Sequence, residues 1–284
     1  FILPSCNHYS EYAGLRNEML IKYGTPISLK PYYELYKTKP RTAQREVNTL
    51  VREQINSLML NIQDAENYDA IDAIRQGEYG IIYAKNQNLD PTQLPQKLES
   101  DKKLVAALDA AKESNPDAVQ SIYDRDRKIY GNLKKEGIDE SALTQTPGVG
   151  NLLVQIAVVA FLFPLAVFSL WSALPAWFIP KYFSDKAEDK MFHGTFLIAL
   201  NALFIFPVFG LLTFIVTWMK TSLLAGLIYV ALFPALCLFE WAYVGWIKDI
   251  IHGFNAIRAE KSGVLGRLRD SRKQLFRDID NIVK

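Results

Sequence analysis

Residues 141–180 read SALTQTPGVGNLLVQIAVVAFLFPLAVFSLWSALPAWFIP and contain no Asp, Glu, Lys or Arg. About 20 predominantly apolar residues suffice to cross roughly 30 Å of hydrocarbon as a helix. Two more apolar stretches follow, at 191–219 and 221–247, separated by Lys220 and carrying one acid, Glu240. The 140 residues before Ser141 are dense in charge. The pattern predicts a soluble region fused to a membrane region, so the whole-chain figures of 50% hydrophobic and 22% charged residues describe neither half.

Composition narrows the chemistry. A net charge of +2 is too mild to argue for nucleic acid, and the cations become informative only where they cluster beside apolar segments, which points to a membrane surface. Cys6 falls in the soluble half and Cys237 in an apolar segment, so no disulfide is expected. Two Cys and three dispersed His are too few for a zinc site, and no cofactor is expected. The chain begins Phe-Ile-Leu-Pro with no charged n-region or cleavage site, and reads as the C-terminal part of something longer.

In the soluble half, residues 1–6 and 18–23 are short apolar or β-favouring runs, the second closed by Gly24-Thr25-Pro26. Val47, Leu50, Val51, Ile55, Leu58, Met59 and Ile62 recur at helical spacing and predict a core-packed helix. Leu98, Val105, Leu108 and Ala111 predict a second. Asn115-Pro116 supplies a helix start and Gly137 a stop, framing a third that carries Val119, Ile122, Tyr123, Tyr130 and Leu133 on one face. Its charged run, Asp124 to Lys128, reads as a solvated face.

The string FILPSCNHYSEYAGLRNEMLIKYGTPISL at 1–29 resembles the last strands of a PlsC-type glycerolipid acyltransferase domain, through Pro4, Tyr9, Arg16 and Gly24-Thr25-Pro26-Ile27. PYYELYK at 31–37, NYDAIDAIR at 67–75, and KYFSDKAEDKMFHGTFLIAL with FIFPVFG within 181–210 are similar to the C-terminal extension of a bacterial, membrane-anchored branch of that family. The resemblance implies an α+β fold class: the remnant of an αβ acyltransferase domain, then a mainly α-helical extension, then an α-helical transmembrane hairpin. It implies a fatty acyl group carried from an acyl carrier protein or coenzyme A thioester to glycerol 3-phosphate or a lysophospholipid, in phospholipid biosynthesis at membrane lipid. The family's base is a His followed five residues later by Asp, as hydroxyl attack on a thioester requires. Five residues after His8 stands Ala13, so His8 is not that base and residues 1–284 are expected to be inactive alone. By resemblance Pro4 lies beside the acyl-donor channel and Arg16 reaches the acceptor phosphate, where a guanidinium binds bidentately.

The expected boundaries are 1–40 for the end of the acyltransferase domain, 41–147 for the helical extension, 148–250 for the membrane domain and 251–284 for a basic amphipathic tail. Spans are expected at 195–218 and 222–246. Pro164, Pro175 and Pro180 interrupt 151–180, which is expected to be re-entrant or spanning, with the re-entrant form preferred on charge. Residues 248–284 hold nine Lys and Arg, which puts tail and soluble domain together on the cytoplasmic side of a bacterial inner membrane and Lys220 outside. Glu240 reads as an interfacial acid in preference to a functional one, and His193 and His252 as ordinary segment-end residues. In the tail, Ile257, Val264, Leu268, Leu275, Ile279 and Ile282 share a face, with Arg267, Arg269, Arg272, Lys273 and Arg277 around it. That pattern predicts a helix lying on anionic lipid or else packing on the soluble domain, with the lipid surface preferred. The rival to the enzyme reading is a non-enzymatic membrane anchor or small transport module with a helical docking domain.

Overall fold

A computed structural model describes residues 1–10, 18–187 and 191–283. Arg16, offered by the resemblance as a phosphate ligand, lies outside the described residues. The chain forms two compact units. The first comprises 1–10, 18–131 and 270–283, the second 132–187 and 191–269.

The first unit opens with an antiparallel hairpin, β1 (Ser5–Tyr9) against β2 (Met19–Tyr23), in the register Ser5↔Tyr23 to Tyr9↔Met19. Alternation follows the pleat: Cys6, His8, Leu20 and Lys22 are half-buried while Asn7, Met19, Ile21 and Tyr23 are exposed. Beyond the turn, Ile27 and Ile2 exchange backbone hydrogen bonds at 2.8 and 3.0 Å. Every later element of this unit is helical: a 3-10 turn (Lys30–Tyr32), then α1 (Tyr33–Thr38), α2 (Pro40–Leu58), α3 (Tyr68–Gln76), α4 (Glu78–Asn86), α5 (Leu94–Ser114) and most of α6 (Pro116–Glu136). This corrects the expected fold class. Helix accounts for 79% of the chain and a two-stranded ribbon is the whole sheet among the described residues, so no αβ remnant exists here. The physical reason is local: the two short apolar runs pair only with each other, and the backbone after Lys30 satisfies itself within helices.

The third expected helix starts and stops where its punctuation predicts. Asn115 Oδ1 accepts the Ala118 N–H at 3.2 Å, and Gly137 takes φ +62°. Its charged run is not the solvated face expected. Asp126 is buried, Arg125 pairs with Asp278, and Arg127 holds both oxygens of Asp69 at 2.8 and 3.2 Å. The core of this unit contains Ile71, Leu98, Leu104, Leu108, Val119 and Tyr123, and also Leu275 and Ile279 from the chain's far end.

The second unit contains α7 (Ser141–Thr144), α8 (Val149–Ser184), α9 (Met191–Leu200), a π-helical turn (Asn201–Ile205), α10 (Phe206–Lys220) and α11 (Leu223–Lys261). Gly263, at φ +71°, ends α11 and begins α12 (Val264–Val283), which continues into the first unit. Three helical stretches are long and apolar enough to cross a membrane: Val149–Ser184, Phe192–Lys220 and Leu223–Lys261. The expected break in 151–180 is absent. Pro164, Pro175 and Pro180 lie inside one 36-residue helix about 54 Å long, so α8 does not reverse.

α8 and α11 pack antiparallel along their length. A Cβ on Gly253 would stand 3.1 Å from Leu152 Cδ1. Tyr243 O–H donates to the Val159 carbonyl at 3.0 Å, Glu240 meets Ser169 at 2.5 Å, and Cys237 donates to the Ser172 carbonyl at 3.3 Å. Ala176 and Phe233 share the core cluster with Ile205 and Cys237. As the number rises along α8 its partner's number falls along α11, so the C-terminus of α8 and the N-terminus of α11 lie at the same end of the pair.

Candidate functional site

Small and polar side chains let the apolar helices approach, and each polar group then needs a partner because no water reaches it in hydrocarbon. Ser169 Oγ lies 2.9 Å from the Ala166 carbonyl and 2.5 Å from Glu240 Oε2. Ser172 and Tyr229 join hydroxyls at 3.0 Å, and Trp171 Nε1–H donates to Thr213 Oγ1 at 3.1 Å. Glu240 is 5% exposed, so the acid faces the helix seam.

Pro180 has no N–H, so the carbonyl four residues earlier, that of Ala176, loses its helical donor. Asn201 Nδ2–H fills that role at 3.1 Å and also reaches the Leu197 carbonyl at 2.8 Å. The π-helical turn begins at this residue, and Asn201 Oδ1 is buried with no partner. π-turns inside α-helices often accompany function. Sequence reasoning passed over Asn201, although it was the one carboxamide between 191 and 219.

In the first unit, Pro4 is buried and its carbonyl accepts the Gly24 N–H at 2.8 Å. A Cβ on Gly24 would meet Gln54 Oε1 at 3.2 Å and Leu58 Cδ1 at 3.3 Å, so α2 closes tightly over the hairpin base. His8 is half-buried, and burial followed by the Arg75 guanidinium holds its imidazole below the ordinary range. The nearby carboxylate of Asp101 is engaged by Arg75 at 3.1 Å and by Lys97. His8 is thus a neutral ring beside cations and, among the described residues, no carboxylate is bonded to it, unlike an oriented general base. Asp101 and Arg75 are themselves buried, a paired network linking α3 to α5.

The tail is arranged differently from expectation. Leu268, Leu275 and Ile279 are buried in protein, so the apolar stripe is not available to lipid. Arg269 donates to the carbonyls of Leu143 and Ala142 at 3.2 and 2.8 Å, to Thr146 Oγ1 at 2.5 Å and to Glu260 at 2.9 Å, capping the end of α7. Arg272 pairs with Glu78 and lies over the Phe276 ring. Arg267, Lys273 and Arg277 remain exposed. His252 Nδ1 donates to the Gly137 carbonyl at 2.7 Å, and Asn255 Nδ2 reaches the same oxygen at 3.1 Å. Among the described residues no group of three or more His, Cys, Asp and Glu is arranged to hold a metal.

Fold and site define a helical protein with a membrane-length apolar bundle and a polar seam inside it. Compared with protein-family models, curated proteins and solved structures, the chain matches none.

Proposed function

We propose that residues 1–284 are the C-terminal part of a membrane-bound acyltransferase, which carries a fatty acyl group from an acyl carrier protein or coenzyme A thioester to glycerol 3-phosphate or a lysophospholipid. The reading rests on the sequence resemblance at Pro4, Tyr9 and Gly24-Thr25-Pro26-Ile27, of which Pro4 and Gly24 are joined by a backbone hydrogen bond at the hairpin base. The resemblance places the His and Asp of the general base upstream of this hairpin, so residues 1–284 contribute no proton acceptor and are inactive alone. Their part is to hold acyl-transfer chemistry at the bilayer, where acyl donor chains and product dissolve.

In this reading the bundle sits in a bacterial inner membrane, and chain parity supports a two-crossing arrangement. Tyr79 O–H donates to Asp280 at 2.8 Å, and the tail pairs Arg125–Asp278 and Glu78–Arg272 lie in the same unit. These pairs support a reading in which residues before and after the apolar section share one side and the number of crossings is even. Antiparallel α8 and α11 are then the crossing pair, while 192–220 enters and leaves at the far face, in place of the expected hairpin of 195–218 and 222–246. The nine cations of 248–284, against Lys181, Lys186, Lys190 and Lys220 on the far side, favour a cytoplasmic near side.

The test is rescue of a strain whose growth requires glycerolipid acyl transfer by the whole encoded polypeptide. Rescue that is lost when residues 1–284 are removed supports the reading. Stable membrane expression without rescue on any acceptor leaves the anchor alternative.

A further inference from the structure

α2 presents a row of arginines that form no ion pair among the described residues. Arg41, Arg45, Asn48 and Arg52 recur at i, i+4, i+7 and i+11, a stripe about 60° wide and about 16 Å long on one helix face. All four are exposed. Val47, Leu50 and Leu58 lie on the far side and are half-buried, Ala43 there is fully buried, and the half-buried Val51 and Ile55 border the stripe along one edge. The helix is therefore oriented by packing, and the arginines point outward as a consequence. Glu46 and Glu53 fall about 100° around the helix from the stripe.

The neighbouring helix α1 adds a second feature. Tyr33 and Tyr36, one turn apart, are 59% and 52% exposed. Exposed tyrosines beside arginines are the composition of a membrane–water interface, where the ring enters the headgroup layer and the cations meet phosphate. An acidic protein would answer the arginines but leave the tyrosines unexplained. The stripe is also straight and carried by a single helix, which suits a planar anionic surface.

We propose that the Arg41, Arg45 and Arg52 stripe of α2, with the exposed tyrosines of the adjoining α1, docks on anionic lipid. This role is independent of whether the chain takes part in acyl transfer. It falls to α2 because α12, the element expected to do it, has its apolar stripe inside the protein.

The experiment uses the full chain, with Cys6→Ser and Cys237→Ala, carrying a fluorophore on Asn48→Cys. It is reconstituted in nanodiscs of phosphatidylcholine alone or with phosphatidylglycerol, each containing a headgroup-quencher lipid. Quenching is expected in anionic discs, weak in neutral ones, and reduced as salt shortens the Debye length to about 3 Å near 1 M. Each arginine near such a surface contributes about fivefold, so Arg41→Gln, Arg45→Gln and Arg52→Gln together shift the docking equilibrium about 100-fold. The triple Lys variant keeps the charge and should dock, which separates lost attraction from misfolding. Equal quenching in neutral and anionic discs, or none in either, overturns the proposal. Protection of residue 48 only on adding a soluble acidic protein assigns the face to a protein partner and also overturns it.

Discussion

Asn201 donates its side-chain amide to the carbonyl of Ala176 at 3.1 Å, and Ala176 is the residue whose helical donor Pro180 removes. A defect in one apolar helix is thus repaired by a polar residue of another. Asn201→Leu should cost about 1 kcal/mol, read as a lower thermal midpoint in mild detergent. Pro180→Ala restores an N–H to the Ala176 carbonyl and should lessen that loss in the double variant. Equal losses with Pro and with Ala at 180 would show that the contact is incidental.

The tail is predicted to hold the soluble unit together and not to act as a free lipid anchor. Ile279 is 0% exposed, so Ile279→Ala should destabilise by about 2–5 kcal/mol, while Lys273→Ala on the exposed face should change stability by less than about 0.5 kcal/mol. Chemical denaturation followed by tryptophan-independent circular dichroism compares the two. Similar midpoints for both would mean that the packing of α12 contributes little.

How much of this was legible in the sequence depends on whether the signal was local. The apolar stretches, the Asn115 and Gly137 helix limits and the amphipathic faces of α5 and α6 follow from composition and spacing, and they stand. The stripe of α12 was equally legible, but a stripe does not name its partner: lipid and protein both bury Leu275 and Ile279. Prolines in α8 misled because soluble-helix rules count the lost hydrogen bond, whereas Asn201, 21 positions after Pro180, supplies one back. Residues 1–29 resemble strands of a larger sheet, yet their described backbone pairs only within one hairpin. The arginines of α2 were in plain sight; their freedom from counter-charges emerged only once the helix was packed.

Acid should weaken the first unit through His8. Burial and then Arg75 hold its folded pKa below the unfolded value of 6.5. The unfolded chain therefore binds the proton more readily, and the contribution is present above pH 6.5 and lost as pH falls below it. Asp69, held down chiefly by its hydrogen bonds from Arg127, acts only below about 3.8, a separate window. His8→Gln should flatten the fall in thermal midpoint between pH 7.5 and 5.5. An unchanged slope assigns acid sensitivity to other groups.

Two crossings by α8 and α11 predict a pattern of accessibility. Single cysteines replacing Lys186 and Lys220 should react alike with an impermeant reagent added from the far side, and cysteines replacing Glu66 and Asp270 should react only from the cytoplasm. All four positions are exposed. Opposite accessibility of 186 and 220 would make 192–220 a true crossing and break the parity set by the tail.

The most direct measurement is transfer of a labelled acyl group in membranes containing the whole encoded polypeptide, offered acyl carrier protein and coenzyme A thioesters with glycerol 3-phosphate or lysophosphatidate. The account predicts labelled glycerolipid from the whole polypeptide, none from residues 1–284 alone, and unimpaired transfer in His8→Ala. Absence of product with every donor and acceptor, from polypeptide that is folded and membrane-inserted, would contradict it, as would turnover by residues 1–284 that His8→Ala abolishes.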